Sequence, residues 1–117
     1  MSLPERHGVE LAPVFAALGD PTRAAILDRL SREGTQTLSD LARDAPISRQ
    51  AISRHVSVLT DAGIVIGVRQ GRELRLSLRP EALKPAVAWL AQVSAAWEGA
   101  LDRLAKHVVA RHVPRSR

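Results

Sequence analysis

Along this chain the spacing of apolar residues changes twice, from a helical repeat to the two-residue repeat of strand and back again. Leu11, Val14, Phe15 and Leu18 fall at i, i+3, i+4 and i+7, which predicts a short helix ending at Gly19. Asp20-Pro21 restarts helix, with the aspartate as N-cap and the proline pre-set for the first helical position. Ile26, Leu27 and Leu30 give this second helix its apolar face, and Gly34 ends it. Thr37, followed three residues later by Asp40, forms a weak capping box. A third, short helix should therefore run through Leu38, Leu41 and Ala42 until Asp44-Ala45-Pro46 breaks it.

The fourth helix is the best specified. Ser48 can cap it, and Ile47 and Ile52 have the spacing of a hydrophobic staple around that cap. Ile52, Val56 and Leu59 face inward, which leaves Arg49, Gln50, Ser53, Arg54, Ser57 and Asp61 on a single polar face, and Gly63 stops the helix. Ile64, Ile66 and Val68 then alternate, as do Leu74, Leu76 and Leu78, with Arg69-Gln70-Gly71-Arg72 between them. That pattern predicts a β-hairpin with a basic tip, and Arg75, Ser77 and Arg79 point outward on its return strand. From Pro80 the pattern is helical again. Leu83, Leu90, Trp97 and Leu104 repeat every seven residues, with Val87, Ser94, Leu101 and Val108 offset by four. Two apolar rows over roughly 30 residues exceed what a small domain needs internally, and a second copy is the simplest partner.

Charge sharpens this picture. Residues 48–79 hold 6 basic and 2 acidic side chains, against 5 and 7 in residues 1–47 and 6 and 3 in residues 80–117. The middle segment is thus the electropositive one in a chain of formal net charge +5. Of the 17 basic residues 15 are arginine, whose planar fork suits phosphate and guanine edges, although an arginine-rich proteome gives the same bias. The length, 117 residues, suits a single domain. The absence of cysteine excludes thiolate metal sites, redox switches, cysteine nucleophiles and disulfides. No basic start followed by an apolar core opens the chain and no apolar run is long enough to span a bilayer, so a soluble cytoplasmic protein without membrane contact is expected.

A short helix, a tight turn, an amphipathic helix with a cationic outer face and a basic hairpin together make the arrangement of a major-groove reader. Ser48, Arg49, Gln50, Ala51, Ser53, Arg54 and Ser57 are the candidate contacts on the helix, with arginine suited to guanine, glutamine to adenine and Ala51 to a thymine methyl. Arg69 and Arg72 at the hairpin tip suit phosphate or the minor groove. His55, at the border of the apolar face, either braces the helix by hydrogen bonding to backbone or phosphate or serves a pH or metal role. Ser53 and His55 point to different sides of the helix and cannot form a nucleophile and base, and no other local constellation suggests catalysis. No cofactor is implied.

Two stretches carry a family resemblance. Phe15-x-x-Leu18-Gly19-Asp20-Pro21-Thr22-Arg23-x-x-Ile26-Leu27-x-x-Leu30 resembles the opening helices of the ArsR-type winged-helix repressors. So does Ser48-x-x-Ala51-Ile52-Ser53-x-His55-x-x-x-Leu59-x-x-Ala62-Gly63-x-Val65, followed by Arg69-x-Gly71-Arg72. The resemblance covers roughly residues 11 to 108. It implies a mostly α winged helix-turn-helix, with four helices, a β-hairpin and a long last helix, as a homodimer joined by its first and last helices. It also implies repression of transcription released by a signal.

The departures narrow the implied signal. Metal-sensing members carry cysteine in the third helix, where this chain reads Leu38-Ser39-Asp40-Leu41-Ala42-Arg43-Asp44. The family's other metal site needs an Asp-x-His start on the last helix, and residues 80–117 contain none. His107 and His112 are five apart, about 140° around a helix, and do not pair within one chain. Leu76 stands where the wing is usually aromatic. The last helix, with Trp89, Trp97 and Glu98, is similar to that of metal-independent members, autorepressors included.

The resulting expectation is one winged-helix domain over residues 1–117: a flexible N-terminus at 1–8, helix-turn-helix at 37–62, wing at 64–79, dimerisation helix at 80–110 and flexible tail at 111–117. It binds a pseudo-palindromic duplex site and holds no metal. Leu11, Val14, Phe15, Leu83, Val87, Leu90, Trp97, Leu101, Leu104 and Val108 are expected at the interface with a second copy. An assembly module using the last helix, or a small-molecule sensor with a pocket between the first and last helices near Trp89 and Trp97, are the alternatives.

Overall fold

The protein is described from a computed structural model over residues 4–111, with side chains over residues 8–108. Helices α1 (Pro4–Leu18) and α2 (Pro21–Glu33) are followed by a two-residue strand β1 (Gln36–Thr37), the short helix α3 (Leu38–Arg43) and helix α4 (Arg49–Asp61). Strands β2 (Val65–Gln70) and β3 (Glu73–Leu78) lead through a 3-10 turn at Pro80–Ala82 into the 28-residue α5 (Lys84–Arg111). This is the winged helix-turn-helix order that the sequence predicts, with β1 added. The sheet is antiparallel in the order β1-β3-β2. Two compact units divide the chain, residues 1–86 and 87–117.

The first unit's core is apolar throughout. Ile26, Leu30, Leu41, Ile52, Val56, Leu59, Ile64, Val65 and Leu76 form one buried cluster drawn from α2, α3, α4 and the sheet, with Ala17 of α1. Local chemistry sets the helix limits around it. Asp20 caps α2, its Oδ2 accepting from the amides of Thr22 at 2.9 Å and Arg23 at 3.0 Å. Thr37 and Asp40 form a complete capping box on α3: each side chain accepts from the other's amide at 3.0 Å. Arg29 then ties α2 to α3, donating to the Asp40 carbonyl at 3.2 Å and pairing with Asp44 at 3.0 Å, so that α3 is held at both ends.

Several expectations shift. α1 begins at Pro4, so residues 4–8, expected as part of a flexible start, are helical. The most deeply buried residue of α1 is Ala17, which the apolar stripe omits, and Val14 beside it packs partly against the core. Leu83 does the same: it caps the 3-10 turn, one residue before α5 begins at Lys84, and so falls outside the helix's repeat. The predicted tail overlaps α5 at Arg111, and residues 112–117, His112 among them, lie outside the described residues.

The wing also changes phase. Gly63, at φ 79°, donates to the Thr60 carbonyl while Ile64 donates to that of Leu59, the double bond of a Schellman ending that buries Leu59 and Ile64 together. Ile64 therefore belongs to the helix cap. The strand starts at Val65, which is buried opposite Leu78, with Gly67 opposite Leu76, and Ile66 and Val68, the other members of the apolar alternation, are 47% and 56% exposed. A Cβ at Gly67 would stand 3.2 Å from Leu74 Cδ1 and 3.3 Å from Leu76 Cδ2, so a larger residue there makes those leucine side chains give by a few tenths of an ångström.

Candidate nucleic-acid interface

Helix α4 presents the polar face. Its inner side is held by Ile52, Val56 and Leu59, none more than 4% exposed, with Ile47 packed against the same core in front of the cap. Ser48 caps the helix, its Oγ accepting from the Ala51 amide at 3.1 Å. With the buried side fixed, helical geometry sends Arg49, Gln50, Ser53, Arg54, Ser57 and Asp61 outward, and all six are exposed; Ala51 is half-buried at the edge. Val58, which the polar pattern passes over, also reaches solvent, at 39%.

Beside this face lies the hairpin of β2 and β3, turning at Gly71 and Arg72, where Gly71 adopts φ 64°. Arg69, Arg72 and Arg75 are exposed on it, and Arg75 Nε donates to Gln70 Oε1 at 2.6 Å across the strands. Glu73 is the one acidic residue among the arginines of residues 62–80. The first unit thus brings every expected helix and wing residue except His55 to exposed or edge positions on two adjoining elements.

His55 is turned the other way. Its Nδ1 lies 3.1 Å from Arg23 Nη1 and 3.7 Å from Asp20 Oδ2, and its side chain is 24% exposed. A guanidinium can only donate, so a neutral His55 ring accepts at Nδ1 in the Arg23 contact, whereas a protonated ring has the Asp20 carboxylate as its partner. Arg23 Nε also donates to the Ala17 carbonyl at 2.7 Å and Nη2 to that of Ala16 at 3.3 Å. One arginine thereby joins the end of α1, the start of α2 and the middle of α4. His55 is part of this brace, because the helix rotation that buries Val56 and Leu59 carries position 55 toward α2. Asp20 sits in the same cluster. Hydrogen bonding from the Arg23 amide, aided by the charges of His55 and Arg23, holds its carboxyl below the ordinary value of 3.8 in spite of some desolvation.

Arg49 is exposed but not idle. Its Nη1 donates to Ser39 Oγ at 3.0 Å, and Ser39 Oγ donates to Glu73 Oε1 at 3.3 Å. Neither Ser39 nor Glu73 stands out in the sequence, since no local spacing places α3 and β3 beside the first turn of α4. Among the described residues no group of three or more histidine, aspartate or glutamate side chains gathers where a metal could be held. No helix among them is long and apolar enough to cross a membrane.

A helix-turn-helix domain family matches residues 18–68. The HTH-type transcriptional regulator YuzN of Bacillus subtilis (strain 168) is 46% identical over a match covering 61% of this chain and 84% of its own length. The transcriptional repressor SdpR of the same organism is 36% identical, covering 66% and 84%. The ArsR-like transcriptional regulator from Rhodococcus sp. RHA1 superposes with a TM-score of 0.76 at 38% identity, over 90% of this chain and 94% of that one. The chain belongs to the ArsR family of transcriptional regulators. As a member it is a DNA-binding transcriptional repressor and not an enzyme. It lacks the cysteines of a thiolate-sensing member.

Proposed function

We propose that two copies of this ArsR-family chain bind a pseudo-palindromic duplex site in the cytoplasm and repress transcription there. Helix α4 lies in the major groove, where Gln50, Ser53, Arg54 and Arg49 meet base edges, Ala51 meets a thymine methyl, and Ser48 and Ser57 flank them on the backbone. Arg69 and Arg72 grip phosphate or the minor groove from the wing. The observation that carries this reading is the division of α4 into a buried apolar side and a fully exposed face carrying two arginines and an amide.

Dimerisation is supported by α5 taken by itself. Val87, Leu90, Val93, Trp97, Leu101, Leu104 and Val108 are each between 44% and 64% exposed and recur at three- and four-residue steps. A continuous apolar stripe of this length on one helix suits a matching stripe on a second copy. Leu11 and Phe15, half-buried on α1, are further candidates for that interface.

Binding titrations with duplexes altered one base pair at a time test the groove assignment. Gln50→Ala and Arg54→Ala should each lose about 1–3 kcal/mol of discrimination at particular base positions. An unchanged sequence preference in both variants overturns it.

A further inference from the structure

Three polar groups from three elements meet beside the first turn of α4: Arg49 of α4 itself, Ser39 of α3 and Glu73 of β3. The hydroxyl stands between a guanidinium and a carboxylate, accepting from Arg49 and donating to Glu73. Its two roles are complementary, because a serine hydroxyl that gives its proton to a carboxylate turns its lone pairs to the donor on the other side. Each partner has its backbone fixed independently. Arg49 follows the Ser48 cap, Ser39 lies within the Thr37–Asp40 capping box, and Glu73 pairs with Gln70 across the hairpin turn.

A carboxylate here is unexpected on general electrostatic grounds. The surrounding wing residues are Arg69, Arg72, Arg75 and Arg79, and a negative charge among them weakens attraction to every phosphate whatever the sequence. Its return must come from something other than general affinity. Holding an arginine supplies it: an unrestrained guanidinium on an exposed helix samples many rotamers, whereas one anchored through Nη1 has its Nε–Nη2 edge left over, the pair of donors that fits guanine O6 and N7.

We propose that Ser39 and Glu73 are specificity-determining positioning residues, which orient Arg49 so that its free edge reads one guanine. This rests on the reading that α4 lies in the major groove. Neither residue touches the base, and Glu73 acts through Ser39.

The test uses the full chain and a labelled duplex recovered by in vitro selection, titrated alongside duplexes changed singly at each base pair. Ser39→Ala and Glu73→Ala should each lose about 5-fold or more of the discrimination at the one base pair that Arg49→Ala also flattens. Discrimination elsewhere should persist, and Ser39→Thr, which keeps the hydroxyl, should retain it. Ser39→Ala added to Arg49→Ala should change nothing further. If Ser39→Ala instead weakens all duplexes equally, the hydroxyl is a phosphate contact and the proposal is overturned; it is overturned equally if discrimination survives in Ser39→Ala but not in Arg49→Ala. Gln50→Ala and Arg54→Ala, which touch neither residue, serve as the control. Unaltered sequence preference in both defeats the groove reading itself, and this inference with it.

Discussion

Arg23 Nη1 and His55 Nδ1 lie 3.1 Å apart, joining residues 32 positions distant in the chain and linking the first turn of α2 to the middle of α4. The same guanidinium holds the carbonyls of Ala16 and Ala17 near the end of α1, so the orientation of α4 depends on a side chain of α2 outside its exposed polar face.

Replacing that arginine should therefore cost stability first. Arg23→Ala removes charge-assisted hydrogen bonds to two carbonyls and a ring nitrogen, and should lower unfolding free energy by about 2–3 kcal/mol in a urea titration. His55→Ala should cost about 1 kcal/mol and leave base preference unchanged when folded protein is compared. A base-specific defect in His55→Ala with unaltered stability would place the ring on the duplex instead.

Acid should loosen the first unit in a defined direction. Asp20 and Asp40 both titrate below their ordinary value of 3.8, Asp20 chiefly through the Arg23 amide and Asp40 chiefly through the Thr37 amide. A carboxyl with a lowered folded-state value contributes stability that is complete above its unfolded value and is lost as pH falls through the folded one. Stability measured by urea titration should thus be flat from about pH 6 to 5 for these two groups and decline below about pH 4. Asp20→Asn and Asp40→Asn should each flatten that decline. Equal acid sensitivity in wild type and both variants contradicts the capping account.

The wing arginines should act without regard to sequence. Arg72→Ala, at the exposed hairpin turn, should weaken binding to all duplexes alike and reduce the slope of log K against log salt by about 1. A loss confined to particular base pairs would make Arg72 a base reader.

Assembly should depend on the α5 stripe. Leu101→Lys or the pair Trp97→Ala and Leu104→Ala, all at exposed apolar positions, should shift the protein from dimer to monomer in sedimentation velocity. Helix content should change little on dissociation. A wild-type protein that sediments as a monomer at tens of micromolar would refute this use of the stripe.

What could be read in the sequence was local chemistry. The caps at Asp20, Thr37 and Ser48 depend on residues within three positions of one another and the polar arc of α4 on one helical repeat, and the structure has each of them, with Ile47 packed against the core before the Ser48 cap. The departures arise where distant residues decide. Arg23 finds His55, Arg29 finds Asp44, and Arg49 finds Ser39 and Glu73 only after the helices have packed. β1 is two residues long and exists because β3 offers it an edge, which no two-residue pattern can announce. The inverted wing has a comparable cause: a Schellman ending claims Ile64 for the helix and delays the strand by one residue, which exchanges its faces.

Selection of genomic fragments by the purified protein at roughly physiological salt, followed by footprinting of the enriched site, tests the central claim most directly. The account predicts a short footprint with two-fold symmetry that Arg54→Ala abolishes. Weak, uniform binding that disappears with a modest rise in salt, and that Arg54→Ala merely scales, would contradict it.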